Sequence, residues 1–88
     1  MPHIEFDMIV LEEDKVFIAY SPELDVSSCG GTIEESKKNL KIAVKLFIEE
    51  AEKMGTLEDI LFEAGYQKDN ENNWIAPRVV ASEVAIVE

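Results

Sequence analysis

The chain has 88 residues, with 19 Asp or Glu against eight Lys or Arg and a net charge of −11. That length fits one domain with a small core, and a 47% apolar content excludes wholesale disorder. So acidic a chain disfavours binding a phosphate backbone by itself, and its apolar runs fall far short of the ~20 residues of a membrane span.

The acid is unevenly spread. Residues 1–31 carry seven acids and one Lys, whereas residues 32–54 hold five Glu and five Lys and are neutral. Such a surface suits a basic protein partner, although solubility alone also explains it. The start, MPHIEFD, has neither the basic nor the apolar region of a signal peptide. Cys29 is alone, so no internal disulfide is expected, and a reducing, cytoplasmic location fits.

Ile4 to Leu11 alternate with a period of two, which predicts a strand with one face buried. Glu12-Glu13-Asp14-Lys15 is a break of hairpin length, and Val16 to Tyr20 is a second run of strand formers. The two should pair antiparallel. Pro22 has no N–H to give and ends that pairing. Val26 to Cys29 reads as a short third strand before Gly30-Gly31.

Thr32-Ile33-Glu34-Glu35 has the form of a capping box. Ile33, Ser36, Leu40, Ala43, Val44, Phe47, Ala51 and Met54 then recur at helical spacing, and Gly55 is a natural stop. A second, shorter helix is expected over Thr56 to Ala64, capped by Thr56 and ended by Gly65. Asp69 to Asn73 is a turn between Tyr66-Gln67-Lys68 and Trp74-Ile75-Ala76, which predicts a hairpin. After Pro77, the β-branched stretch Val79 to Val87 predicts one more strand, an exposed edge unless something covers it. A second subunit or a partner's strand would do so.

This β-β-β-α order, with a Pro after the second strand and a Gly-x-Thr-x-x-Glu helix entry, resembles the HicB-like antitoxins of toxin–antitoxin modules. The matching residues are Ala19, Pro22-Glu23-Leu24, Ser28, Gly30, Thr32, Glu34-Glu35, Asn39-Leu40 and Ala43, within residues 4–54. Gly65-Tyr66, Trp74, Pro77 and Val79-Val80 look like an extension seen in some members. The resemblance implies a truncated RNase H-like fold and the neutralisation of a small HicA-type toxin that cleaves mRNA. Many members also carry a DNA-binding module. Nothing after Gly65 shows the two-helix pattern of one, and the Pro-Gly-Cys often seen in the loop is absent.

The chemistry-bearing residues point away from catalysis. Asp7 stands where an RNase H enzyme would place a metal ligand, and could recruit Glu23, Asp25 or Glu35. Metal-dependent phosphodiester cleavage needs several convergent carboxylates, and alternating acids on a strand are usually its solvated face. His3 has no evident partner for general-base work. Cys29, near a helix start, has no His partner to activate it. Lys37, Lys38, Lys41 and Lys45 form a stripe that could touch RNA phosphates, but pairs such as Glu34–Lys38, Lys45–Glu49 and Glu49–Lys53 read as support for an exposed helix. Trp74 suits an interface anchor or a core anchor equally.

The expected fold is α+β: a small antiparallel sheet, one long helix across it, a short second helix and a C-terminal β extension. Residues 1–54 would form the core and 55–88 the short helix and last strands of a single domain. The expected function is that of a non-enzymatic, homo-oligomeric antitoxin without cofactor or metal. Glu12, Glu13, Asp14, Glu23, Asp25 and Trp74 would meet a small basic HicA-like toxin. The alternatives are a stand-alone oligomeric regulatory module of the same fold, or a weak RNA-binding or nuclease remnant.

Overall fold

Asp14 and Lys15 both take positive φ, 49° and 68°. That is the type I′ turn, whose twist matches the strands it joins. A computed structural model, describing residues 3–88, accordingly places strand β1 at Ile9–Glu13 and β2 at Val16–Ser21, with Glu13 opposite Val16 and Ile9 opposite Tyr20. Pro22 lies just outside the ladder, and Asp25 turns the chain with φ 55° while its N–H donates to the Ser21 carbonyl at 2.9 Å. Strand β3, Val26–Gly30, then pairs antiparallel with β2 and completes a sheet of order β1-β2-β3.

Helix α1, Ile33–Met54, is fixed at both ends. The Thr32 hydroxyl accepts from the Glu35 N–H at 3.0 Å. At the far end Gly55 has φ 72°, its N–H donates to Glu52 and the Thr56 N–H to Ala51, at 3.1 and 3.0 Å. This is the Schellman arrangement, which satisfies otherwise orphaned carbonyls. Ser36, Leu40, Val44 and Ala51 are the buried positions of the helix, and Ile33 and Met54 are exposed in its first and last turns. Gly30 makes the close approach of sheet to helix feasible, because a Cβ there would stand 2.7 Å from the Ser36 nitrogen. The Asn39 amide completes this junction by donating to the Cys29 carbonyl at 2.8 Å.

Helix α2, Leu57–Glu63, starts without the expected side-chain cap. Thr56 is itself in the helical region, and its hydroxyl donates back to the Ala51 carbonyl at 3.4 Å. The Schellman bonds that end α1 hold Thr56 in that role. A second pair of such bonds ends α2, with Gly65 at φ 91° and the Tyr66 N–H on the Leu61 carbonyl. Leu61 and Tyr66 are both buried there. The short strands β4, Gln67–Lys68, and β5, Trp74–Ile75, form the expected hairpin. The Asp69 carboxylate accepts from the Glu71 and Asn73 N–H groups, each at 2.8 Å, and these bonds hold it below its ordinary titration range. Ala19, Leu24, Leu40, Val44, Leu61, Tyr66 and Trp74 form one core.

Two of the expected strands need correction. The first strand starts at Ile9, not Ile4. Residues 4–8 keep the alternation of burial but pair elsewhere: Ile4 bridges Trp74 in parallel, with Glu5 N–H to Trp74 carbonyl and Trp74 N–H to His3 carbonyl. The stretch Val79–Val87 forms no strand; Val80, Val84, Ile86 and Val87 are between 84% and 96% exposed. Among the described residues no helix is long and apolar enough to cross a membrane.

Candidate partner-binding surface

The pairing register sorts the sheet's side chains into two faces. Phe17, Ala19, Ser21, Val26, Ser28 and Gly30 share the side packed by α1. Ile9, Leu11, Val16, Ile18, Tyr20 and Cys29 share the other. No described element covers that second face: Ile9, Leu11 and Val16 are 45%, 54% and 41% exposed, and Cys29 is exposed too.

Acids mark both ends of the sheet, and the register puts Glu13 on the open face with Val16 and Glu12 on the helix side with Phe17. Glu12, Glu13 and Asp14 stand at the β1–β2 turn, exposed and without a side-chain hydrogen bond or ion pair among the described residues. Glu23 and Asp25 stand at the β2–β3 turn, about 17 Å away along β2 at ~3.4 Å per residue. The antiparallel register therefore separates what the sequence presents as one acidic region into two patches with apolar residues between them.

The two patches differ in freedom. Asp25 accepts the Tyr20 hydroxyl at 3.0 Å, and that bond, more than burial or the Asp25 charge, raises the Tyr20 titration. Both Glu23 oxygens accept the Asp7 N–H at 3.2 Å, and one takes the buried Ser21 hydroxyl at 3.2 Å. Partial burial, and then the Asp7 side chain, push the Glu23 carboxyl above its usual range against these donors. Close by, the Tyr66 hydroxyl donates to the Glu5 carbonyl. Burial, and then the charges of Glu23, Asp7 and Glu5, drive that phenol above its ordinary range. Glu23 thus fastens the β2–β3 turn to Asp7, whereas Glu12, Glu13 and Asp14 are unengaged among the described residues.

Trp74 is a core residue and not a surface anchor, at 3% exposure. Phe62 meets it edge-on at 5.0 Å, and the Lys68 ammonium lies 5.1 Å from its ring centre while also pairing with Glu58 at 3.1 Å. The hairpin turns the indole inward against α2, so the core reading of this residue applies.

The lysine stripe carries fewer ion pairs than its spacing predicts. Within α1 the one pair among the described residues is Lys37–Glu34 at 3.5 Å; Lys38, Lys45 and Lys53 do not reach the glutamates four residues away. His3 is exposed, and its backbone N–H donates to the Asn73 side chain. Among the described residues no three His, Cys, Asp or Glu side chains converge to hold a metal ion. Ser21 and Tyr66, which build the contacts around Glu23 and Glu5, were not evident as functional positions. The one available signal was local: Tyr66 follows a C′ glycine, where an apolar residue packs back on the preceding helix.

No protein-family model, no curated protein and no solved structure matches the chain.

Proposed function

We propose that this protein is a cytoplasmic HicB-like antitoxin that binds a small basic, RNA-cleaving toxin through the open sheet face and blocks its active surface. One observation carries the reading: an exposed apolar strip of Ile9, Leu11 and Val16 lies between two acidic ends. An apolar centre with a charged rim is the anatomy of a protein–protein interface. The acidic ends would steer a basic partner toward the strip, and the strip would exclude water once docked. The β-β-β-α order and the Gly30/Thr32/Glu35 helix entry support the truncated RNase H-like assignment.

The test pairs this protein with the product of a small basic reading frame beside its gene. The expected result is a co-purifying complex whose assembly stops RNA cleavage stoichiometrically, and which Leu11→Arg abolishes. Cleavage of labelled RNA by this protein alone with Mg²⁺ or Mn²⁺, lost in Asp7→Asn, would overturn the reading in favour of a nuclease.

A further inference from the structure

Segment 77–88 and the groove beside helix α1 are both bare in one chain and match each other in chemistry. The groove, of about 180 Å³, runs between α1 and the N-terminal segment. Its walls are Ile4, Phe6, Val44, Ile48 and Leu57, with Lys41 and Lys45 along one rim and Glu52 at its far end. An apolar cavity of ~150 Å³ accepts a benzene-sized group, so this one takes one or two aliphatic side chains. A wider cleft lined by Ile4, Phe6 and Lys41 continues it to Ala76–Val79, the root of the segment.

Five aliphatic side chains of that segment, Val79, Val80, Val84, Ile86 and Val87, are exposed in water. Its own chain offers it no continuous ladder. The parallel bridge at Ile4–Trp74 would extend next through the Glu5 carbonyl and the Asp7 N–H. Tyr66 occupies the first and Glu23 the second, while the Ala76 N–H is diverted to the Glu5 carboxylate at 3.3 Å. Pro77 follows at once, without an N–H.

We infer that segment 77–88 of one chain docks in the α1 groove of a second copy, so that the protein assembles as a reciprocal homodimer. Length supports the fit: Lys41 to Glu52 spans about 16 Å of helix, which is about five residues of extended chain. Val84 to Glu88 has that length. Charge supports it as well. At the Lys41 end, in a chain of net charge −11, Lys41 and Lys45 have no ion-pair partner among the described residues, and one of the two acids that flank the apolar run, Glu83 or Glu88, would lie beside them. Burying two such segments and two grooves brings the total toward the ~1,200–2,000 Å² of a stable interface. The groove lies on the helix side of the sheet, apart from the open face assigned above, and the inference stands whether or not a toxin binds there.

Light scattering on the full chain tests it. The expected mass is twice 9.9 kDa. Val84→Asp with Ile86→Asp, at exposed positions outside every element, should weaken dimerisation at least tenfold and leave the circular dichroism spectrum unchanged. Lys41→Glu with Lys45→Glu should weaken it as well, and mixing that variant with Glu83→Lys, Glu88→Lys should restore association. In a mixed-label sample, isotope-filtered NOEs should connect Ile86 methyls of one copy to Val44 and Ile48 methyls of the other. A 9.9 kDa monomer at millimolar concentration, a dimer indifferent to both sets of substitutions, or NOEs confined to a single chain each overturn the proposal.

Discussion

On its helix side the sheet presents Phe17, Ala19, Val26 and Gly30, and on its other side Ile9, Leu11, Val16 and Ile18. The first set lies under α1; among the described residues no element lies over the second. A strand apolar on both faces, as Val16–Tyr20 is, ordinarily belongs to a sheet covered on both sides. Here a single chain supplies one cover. The helix-side residues therefore hold the monomer together, and the open-side residues are available for association. Substitutions on the two faces should separate stability from binding.

The largest effect belongs to the covered face. Leu40 is fully buried between helix and sheet, and Leu40→Ala should destabilise the fold by about 2–5 kcal/mol through lost burial and the cavity left behind, measured by urea unfolding. Gly30→Ala comes next. The new Cβ would stand 2.7 Å from the Ser36 nitrogen and 2.9 Å from the Glu35 carbonyl carbon. Both are backbone atoms of the first helical turn and cannot swing aside, so a loss of about 1–3 kcal/mol is expected from overpacking. An unchanged unfolding midpoint for Gly30→Ala would show that α1 does not close on β3 as described.

That junction was also the most legible part of the chain. Thr32, Glu35 and Gly55 are local signals: the chemistry that starts and stops the helix lies within a few residues of its ends. The β1–β2 hairpin was legible as a polar break over Glu12 to Lys15, but not its two-residue type I′ form, since Glu12 and Glu13 continue the strand and only Asp14 and Lys15 turn. Residues 4–8 misled because alternation reports which side is buried and not which strand is the partner; Ile4 found Trp74, seventy positions away. Val79–Val87 misled further, since its β-branched composition calls for a neighbour that its own chain does not provide. Of the candidate interface, the acids were readable as residue types. Their division into a free turn and a fastened one was not, because it depends on Asp7, Ser21, Tyr20 and Tyr66 arriving from other elements.

The cluster between the faces gives two smaller effects. Tyr66→Phe keeps the buried ring and removes the hydroxyl from the Glu5 carbonyl, a loss of about 1–2 kcal/mol for an acceptor left without its donor. The same variant carries a pH signature. The Tyr66 phenol titrates above its unfolded value of 10.0, so the folded state holds its proton more tightly. Its contribution is fully present below that pH and is lost as pH rises toward the folded value. The stability difference between wild type and Tyr66→Phe should therefore shrink above pH 10, with Tyr20 present in both and cancelling. Glu23 works in the same sense at the acid end. Its carboxyl lies above the ordinary value of 4.5, so its contribution is present below that pH and fades as pH rises through the raised value. Glu23→Gln should flatten that stretch of the stability–pH curve. A curve that keeps its wild-type slope there would mean that the Glu23 carboxyl is as well solvated folded as unfolded.

The smallest effect on stability is the most informative about the open face. Leu11 is 54% exposed on β1 and opposes the half-buried Ile18. Leu11→Ser should change the unfolding free energy by no more than about 0.5 kcal/mol, since no core contact is lost at a solvent-facing position. Affinity for a basic partner should respond quite differently. The strip of Ile9, Leu11 and Val16 is the apolar centre between the two acidic ends, and a polar residue in the middle of such a centre removes the contact that truncation scans find most costly. Substituting Glu12 and Glu13 by Gln on the rim should instead slow association and weaken its salt dependence, with little change in dissociation. If Leu11→Ser lowers stability as a core substitution does, the face is covered within the chain and the contrast between the two sides is lost. If it leaves both stability and partner affinity intact, the acids act alone and the apolar strip has no part in recognition.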